Sequence, residues 1–134
     1  MTVKVQRMVC QTQWRKFETS CYFVSTETKN WTESRQACIA EGADLVVINS
    51  HDEQVFVNSV LDVKQNAWMG LTDSLNEGVW MWLDGTPATT TYWEPGQPNS
   101  YSGDQDCGEF IQYSSEGHWN DDGCFADQNF ICEK

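Results

Sequence analysis

Between Trp93 and Cys124 the chain gathers side-chain amides, carboxylates and two cysteines in a segment without helical or strand periodicity: WEPGQPNSYSGDQDCGEFIQYSSEGHWNDDGC. Hard cations such as calcium take about six to eight oxygen ligands and no thiolate. Gln97, Asn99, Gln105, Asp106, Asn120 and Asp121 are residues of the right type to supply them. Any one of these, taken singly, reads as a solvated loop residue. Their order and spacing carry the inference. Gln97-Pro98-Asn99 is followed by Cys107, then by Trp119-Asn120-Asp121, then by Cys124 and Cys132.

A loop of this length needs a framework, and the preceding chain predicts one. Residues 1–9 read as a tail or an edge strand, and residues 10–134 as a single domain. Cys10 to Val24 predicts a short hairpin. Asn30 stands at a helix N-cap position, and Asn30-Trp31-Thr32 is also an N-glycosylation sequon; both readings stay open. Trp31 to Glu41 predicts a helix with Trp31, Ser34, Ala37 and Cys38 on one face and Gly42 as its stop. Ala43 to Ile48 predicts a strand. Ser50 and Glu53 form a capping box ahead of a helix to about Leu61 that buries Phe56 and Val60, with His51 solvated in its first turn. Trp68 to Leu71 predicts a buried strand, and Val79 to Leu83 an alternating one that turns at Asp84-Gly85. Strands are expected at Cys107–Gln112, Gly117–Asn120 and Asn129–Cys132. Two helices followed by strands around a long loop make an α+β domain with the helices flanking antiparallel sheet.

Composition narrows the function. A chain of 134 residues buries a real core in one domain. Its net charge of -12 argues against nucleic acid and anionic membrane, both of which need clustered Lys and Arg. No stretch approaches the roughly 20 apolar residues of a membrane span, and residues 1–9 do not read as a secretory leader; any targeting or anchoring segment is expected outside this chain. The seven tryptophans read as core residues rather than as a row of sugar platforms. The six cysteines contain no Cys-x-x-Cys pair, which argues against zinc and for disulfides in an oxidising, extracellular setting. Cysteine spacing leaves the pairing open. No nucleophile elbow, phosphate loop or metal-hydrolase motif is present. His118, beside Trp119, reads as a rim or core residue, so no enzyme is expected.

Trp68-Met69-Gly70-Leu71, Trp80-x-Trp82-x-Asp84-Gly85, Trp119-Asn120-Asp121 and the six cysteines together resemble the carbohydrate-recognition domain of C-type lectins, from Cys10 to Cys132. The resemblance implies the pairs Cys10–Cys21, Cys38–Cys132 and Cys107–Cys124. It implies a calcium ion held by Gln97, Asn99, Gln105, Asn120 and Asp121, with a cis peptide before Pro98. The same residues and Tyr101 would contact the sugar, and Asp73, Glu77 and Asp106 could hold a second ion. It implies glycan partners, with mannose, fucose or N-acetylglucosamine favoured over galactose by loop length, and clustering for avidity. Gln97-Pro98-Asn99 is neither the Glu-Pro-Asn of mannose-type members nor the Gln-Pro-Asp of galactose-type ones. Gln105 replaces a usual Glu, which implies weak calcium binding. The alternative is a domain of the same fold that binds a protein or ice, with a vestigial calcium loop.

Overall fold

Asn30 and Ser50 start the two helices at the expected places. In the computed structural model, which describes residues 9–98 and 106–134, α1 runs Trp31–Ala40 and α2 runs His51–Val60. The expectations for residues 1–8, Asn99, Tyr101 and Gln105 lie outside the described residues. Asn30 Oδ1 accepts from the Glu33 N–H at 2.8 Å, leaving one end of the first turn capped. A glycan would attach through Nδ2, so the cap does not compete with it. Gly42, at φ +73°, occupies the left-handed position that ends α1.

The capping box of α2 differs from expectation. Ser50 Oγ accepts from the Glu53 N–H at 3.1 Å, but Glu53 Oε1 reaches past the cap to the Asn49 N–H at 2.8 Å. Its other oxygen takes the Tyr22 hydroxyl at 2.6 Å, which draws the carboxylate toward the Ser20–Val24 strand. The buried face of α2 also differs. Glu53, Gln54, Val57 and Asn58 are buried, whereas Phe56 and Val60 are only half-buried. Buried polar side chains need partners, and these have them. Gln54 accepts from Trp119 Nε1 at 2.9 Å and donates to the Glu116 carbonyl at 2.8 Å. Asn58 donates to the Ser114 carbonyl and accepts from the Tyr113 N–H. Helix α2 thereby fixes the 113–119 segment that leads into Asn120 and Asp121.

The strands are β1 (Arg15–Phe17), β2 (Ser20–Val24), β3 (Asp44–Leu45), β4 (Asn66–Thr72), β5 (Met81–Trp82), β6 (Cys107–Ile111), β7 (His118–Asp122) and β8 (Asn129–Glu133). They lie in the order β1-β2-β8-β4-β6-β7, with β3 on β8 and β5 on β4. One pair departs from the expected antiparallel sheet: β4 and β8 run parallel, because the last strand inserts between the first hairpin and the central strand. β3 and β5 are shorter than predicted. Gly70 in β4 allows close approach here, since a Cβ would stand 2.9 Å from the Leu45 carbonyl oxygen.

The tryptophans form the core, as expected. Trp68 and Trp119 are fully buried, and Trp14, Trp80 and Trp82 nearly so. Trp31 Nε1 donates to the Met69 carbonyl and Trp68 Nε1 to the Lys29 carbonyl, which pins the start of α1 against β4. The three disulfides are Cys10–Cys21, Cys38–Cys132 and Cys107–Cys124, the pairs the resemblance implied.

Glu53 gives the fold a pH dependence. Burial raises its pKa above the ordinary glutamate value, partly opposed by the Tyr22 and Asn49 hydrogen bonds and assisted by Glu133 and Glu18. The Tyr22 phenol is raised as well, by burial and by Glu53. A raised carboxyl pKa means that the native state holds this proton more tightly than the unfolded chain does. Its contribution is complete below the unfolded value of about 4.5 and is lost as pH rises through the folded value. Denaturant titrations between pH 4.5 and 8 should therefore show stability falling less steeply in Glu53→Gln than in the parent protein. Parallel curves would mean that Glu53 does not titrate in this window.

Candidate functional site

The segment from Tyr92 to Pro98 is laid along β7 by its backbone. The Trp119 N–H donates to the Tyr92 carbonyl at 2.8 Å, and the Glu94 N–H to the Trp119 carbonyl at 2.9 Å. Trp93 packs edge-on against Trp80 and Trp119. Glu94-Pro95-Gly96-Gln97 then closes a turn, with the Gln97 N–H on the Glu94 carbonyl at 2.8 Å and Gly96 at φ +90°. Pro then Gly is the pairing a type II turn favours. The Gln97–Pro98 peptide that follows the turn is cis.

Asn120 and Asp121 alternate sides on β7, as strand residues do. Asp121 is fully buried. The Asn120 backbone pairs with Glu109 on β6. Asn120 Nδ2 donates to Glu109 Oε1 at 3.2 Å, and Asn66 Nδ2 donates to the same oxygen at 3.3 Å. Three oxygens here are buried without a hydrogen-bond partner among the described residues: Gln97 Oε1, Asn120 Oδ1 and Glu109 Oε2. Buried polar atoms rarely stay unpaired. Burial pushes the Glu109 carboxyl up to about 7, against the Asn120 hydrogen bond and with Asp122, Asp121 and Glu94 adding to the rise.

Asp73, Glu77 and Asp106 form a second group, with one carboxylate oxygen from each lying within 4.8 Å of the others. The Asp73 N–H donates to the Asp106 carbonyl at 3.1 Å, and the Thr72 hydroxyl donates to that carbonyl too. Asp73 Oδ2 accepts from the Gly78 N–H at 2.9 Å, while Asp73 Oδ1 and Asp106 Oδ1 are buried and unpaired among the described residues. Hydrogen bonds with Asp106 and Asp73 push exposed Glu77 up to about 7, and burial raises Asp73. Carboxylates crowded like this share protons unless a cation neutralises them. Unpaired oxygens, acids and amides without thiolates fit a hard divalent cation. The Cys107–Cys124 bridge ties Asp106 and the end of β7 together.

Asn120 and Asp121 are neighbours on β7, opposite Glu109 and Gly108 of β6, and Gln97 ends the turn that follows the Glu94–Trp119 backbone bond. Asp73, Glu77 and Asp106 form their own cluster. Glu109 was missed by sequence reasoning, although one acid inside the Cys-Gly-Glu-Phe-Ile strand is the signal that marks it. His51 lies exposed, with Nε2 3.0 Å from Glu116, and His118 sits against the Tyr113 ring.

The sequence pattern of the Lectin C-type domain family matches residues 27–134. The chain belongs to the C-type lectin family. Domains of this family bind carbohydrate and are not enzymes, and they are typically extracellular or cell-surface ectodomains. Among the described residues, no helix of this C-type lectin domain is long and apolar enough to cross a membrane. It is 44% identical, over 93% of its length, to C-type lectin domain family 4 member M of Hylobates lar. The chain spans only 31% of that relative. The mouse scavenger receptor C-type lectin carbohydrate-recognition domain superposes with a TM-score of 0.86 at 38% identity, covering 93% of this chain and 95% of that one. A calcium-independent type II antifreeze protein also superposes, with a TM-score of 0.85 at 26% identity and 96% of each chain covered.

Proposed function

We propose that this domain binds hexoses on glycans through calcium held by Gln97, Asn99, Gln105, Asn120 and Asp121. The observation that supports this most is the unpaired, buried pair of amide oxygens, Gln97 Oε1 and Asn120 Oδ1. The Gln97 amide, with its oxygen on a cation, can donate through its nitrogen to a sugar hydroxyl, Asn120 Nδ2 keeps one N–H beyond its bond to Glu109, and Asp121 can only accept. Bound calcium would supply coordination sites for two neighbouring hydroxyls. With amides at both 97 and 99, the site offers donors to equatorial and axial hydroxyl pairs alike, and the loop length favours mannose, fucose or N-acetylglucosamine. Asp73, Glu77 and Asp106 are proposed to hold a second cation that supports the loop. A weak single site suits display in clusters on a secreted or cell-surface protein, in innate immune or other glycan recognition.

Calcium binding is expected to be weak. Of the five proposed ligands only Asp121 is a carboxylate, and ligand charge is one of the terms that sets affinity. The expected dissociation constant is about 10⁻³ M, the weak end for extracellular modules. Gln105→Glu should tighten both calcium and sugar in calorimetric titrations. Micromolar calcium binding that Asp121→Asn removes would refute the charge argument, and no gain in the Glu variant would show that residue 105 does not face the cation.

A second reading is favoured by Gln105 and by the superposition with the calcium-independent antifreeze protein: the same surface meets a protein or ice with no cation. Binding to a partner that survives a chelator would decide for it.

A further inference from the structure

Glu109 is a carboxylate where a neutral side chain would serve the fold. It lies on β6 between Gly108 and Phe110, is 2% exposed, and is the partner of Asn120 across the strand pair. Its Oε1 collects two amide donors, Asn66 Nδ2 from β4 and Asn120 Nδ2 from β7. A glutamine oxygen could accept both. Charge is therefore not needed for these bonds, and burying it is costly without a counter-charge. Among the described residues, the ion pairs are Lys29–Glu27, Arg35–Asp44 and His51–Glu116, none of which reaches Glu109. Its neighbours Asp121, Asp122 and Glu94 are acidic and make the cost larger.

The hydrogen-bond direction adds a second observation. An asparagine amide can present either end to a pocket. Because Asn120 Nδ2 is tied to Glu109 Oε1, the free end is Oδ1, the atom that is buried and unpaired. Glu109 Oε2 is unpaired as well. Asn66 holds Glu109 from the opposite side, so the row Asn66, Glu109, Asn120 crosses three adjacent strands.

We infer that Glu109 is a positioning residue for the proposed calcium site, turning the Asn120 oxygen toward the cation and adding a buried carboxylate beside a ligand set poor in charge. This rests on the calcium-dependent reading above. Outer partners that orient metal ligands typically matter by about 10- to 100-fold in metal affinity. Glu109 would supply part of the negative charge missing at Gln97 and Gln105.

The test compares the unsubstituted domain with Glu109→Gln and Glu109→Asp. Each is titrated with calcium by calorimetry and melted in a chelator. Glu109→Gln keeps both amide bonds and removes the charge, and should weaken calcium by at least about tenfold, while its melting temperature in chelator stays equal or rises because an uncompensated buried charge is gone. Glu109→Asp, which keeps the charge but shortens the reach, should fall between the two. Equal calcium affinity in all three proteins, with the unsubstituted one binding, would overturn the role of Glu109 and leave the calcium site standing. A fall in chelator melting temperature for Glu109→Gln that accounts for its calcium loss would make Glu109 a fold residue and would overturn the role too. No calcium binding by the unsubstituted domain would remove both this inference and the reading beneath it.

Discussion

Replacing Cys38 and Cys132 together with alanine is expected to lower unfolding stability by about 4–5 kcal/mol. The bridge spans 94 residues and joins α1 to β8. β8 is the strand that inserts between β2 and β4, so the bridge also holds together the two halves of the sheet. In the chain-entropy model a loop of about 100 residues removes enough unfolded-state freedom for about 4.7 kcal/mol, whereas the short Cys10–Cys21 loop is worth about 3 kcal/mol or less. Both half-cystines are nearly fully buried, and paired alanines leave a small cavity that adds to the loss. Urea unfolding monitored by tryptophan fluorescence measures the difference. A change below about 1 kcal/mol would mean that the unfolded chain is already restrained by other means.

Asp121→Asn is expected to abolish calcium-dependent sugar binding while leaving the fold in place. Asp121 is fully buried on β7, and it is the single carboxylate among the five proposed ligands. Asparagine has nearly the same volume, so packing against the core is conserved. Removing the charge leaves an all-amide set, and calcium affinity should fall by about 100-fold or more, out of reach of millimolar concentrations. Melting the variant in chelator shows separately what the Asp121 carboxylate contributes to the fold, apart from the acidic neighbour that Glu109 loses. Calorimetry and retention on immobilised mannose follow the two effects separately. Undiminished calcium binding would place the cation elsewhere, with the Asp73, Glu77 and Asp106 cluster as the remaining candidate.

Much of the fold was legible because it is written in local chemistry. Asn30 and Ser50 mark helix starts through their own side chains, and Gly42 marks a stop through its backbone. The cysteine pairs were legible only through the family resemblance, since spacing left them open. The buried polar face of α2 was not legible. Glu53, Gln54 and Asn58 look like surface residues until Tyr22, Glu116, Trp119 and Ser114 arrive from distant parts of the chain to satisfy them. The parallel β4–β8 pairing was hidden for the same reason, because register between remote strands is set by tertiary packing. Glu109 shows in the sequence only as a lone acid inside an apolar strand, without its partners. Its role depends on Asn66 and Asn120 meeting it across two neighbouring strands.

The most direct test of the calcium-mediated reading is retention of the unsubstituted domain on immobilised mannose in millimolar calcium, followed by a chelator. Retention with complete release by the chelator, and recovery when calcium is restored, is the predicted result. Retention that persists in chelator, or no retention on mannose, fucose, N-acetylglucosamine or galactose at any calcium concentration, would contradict it.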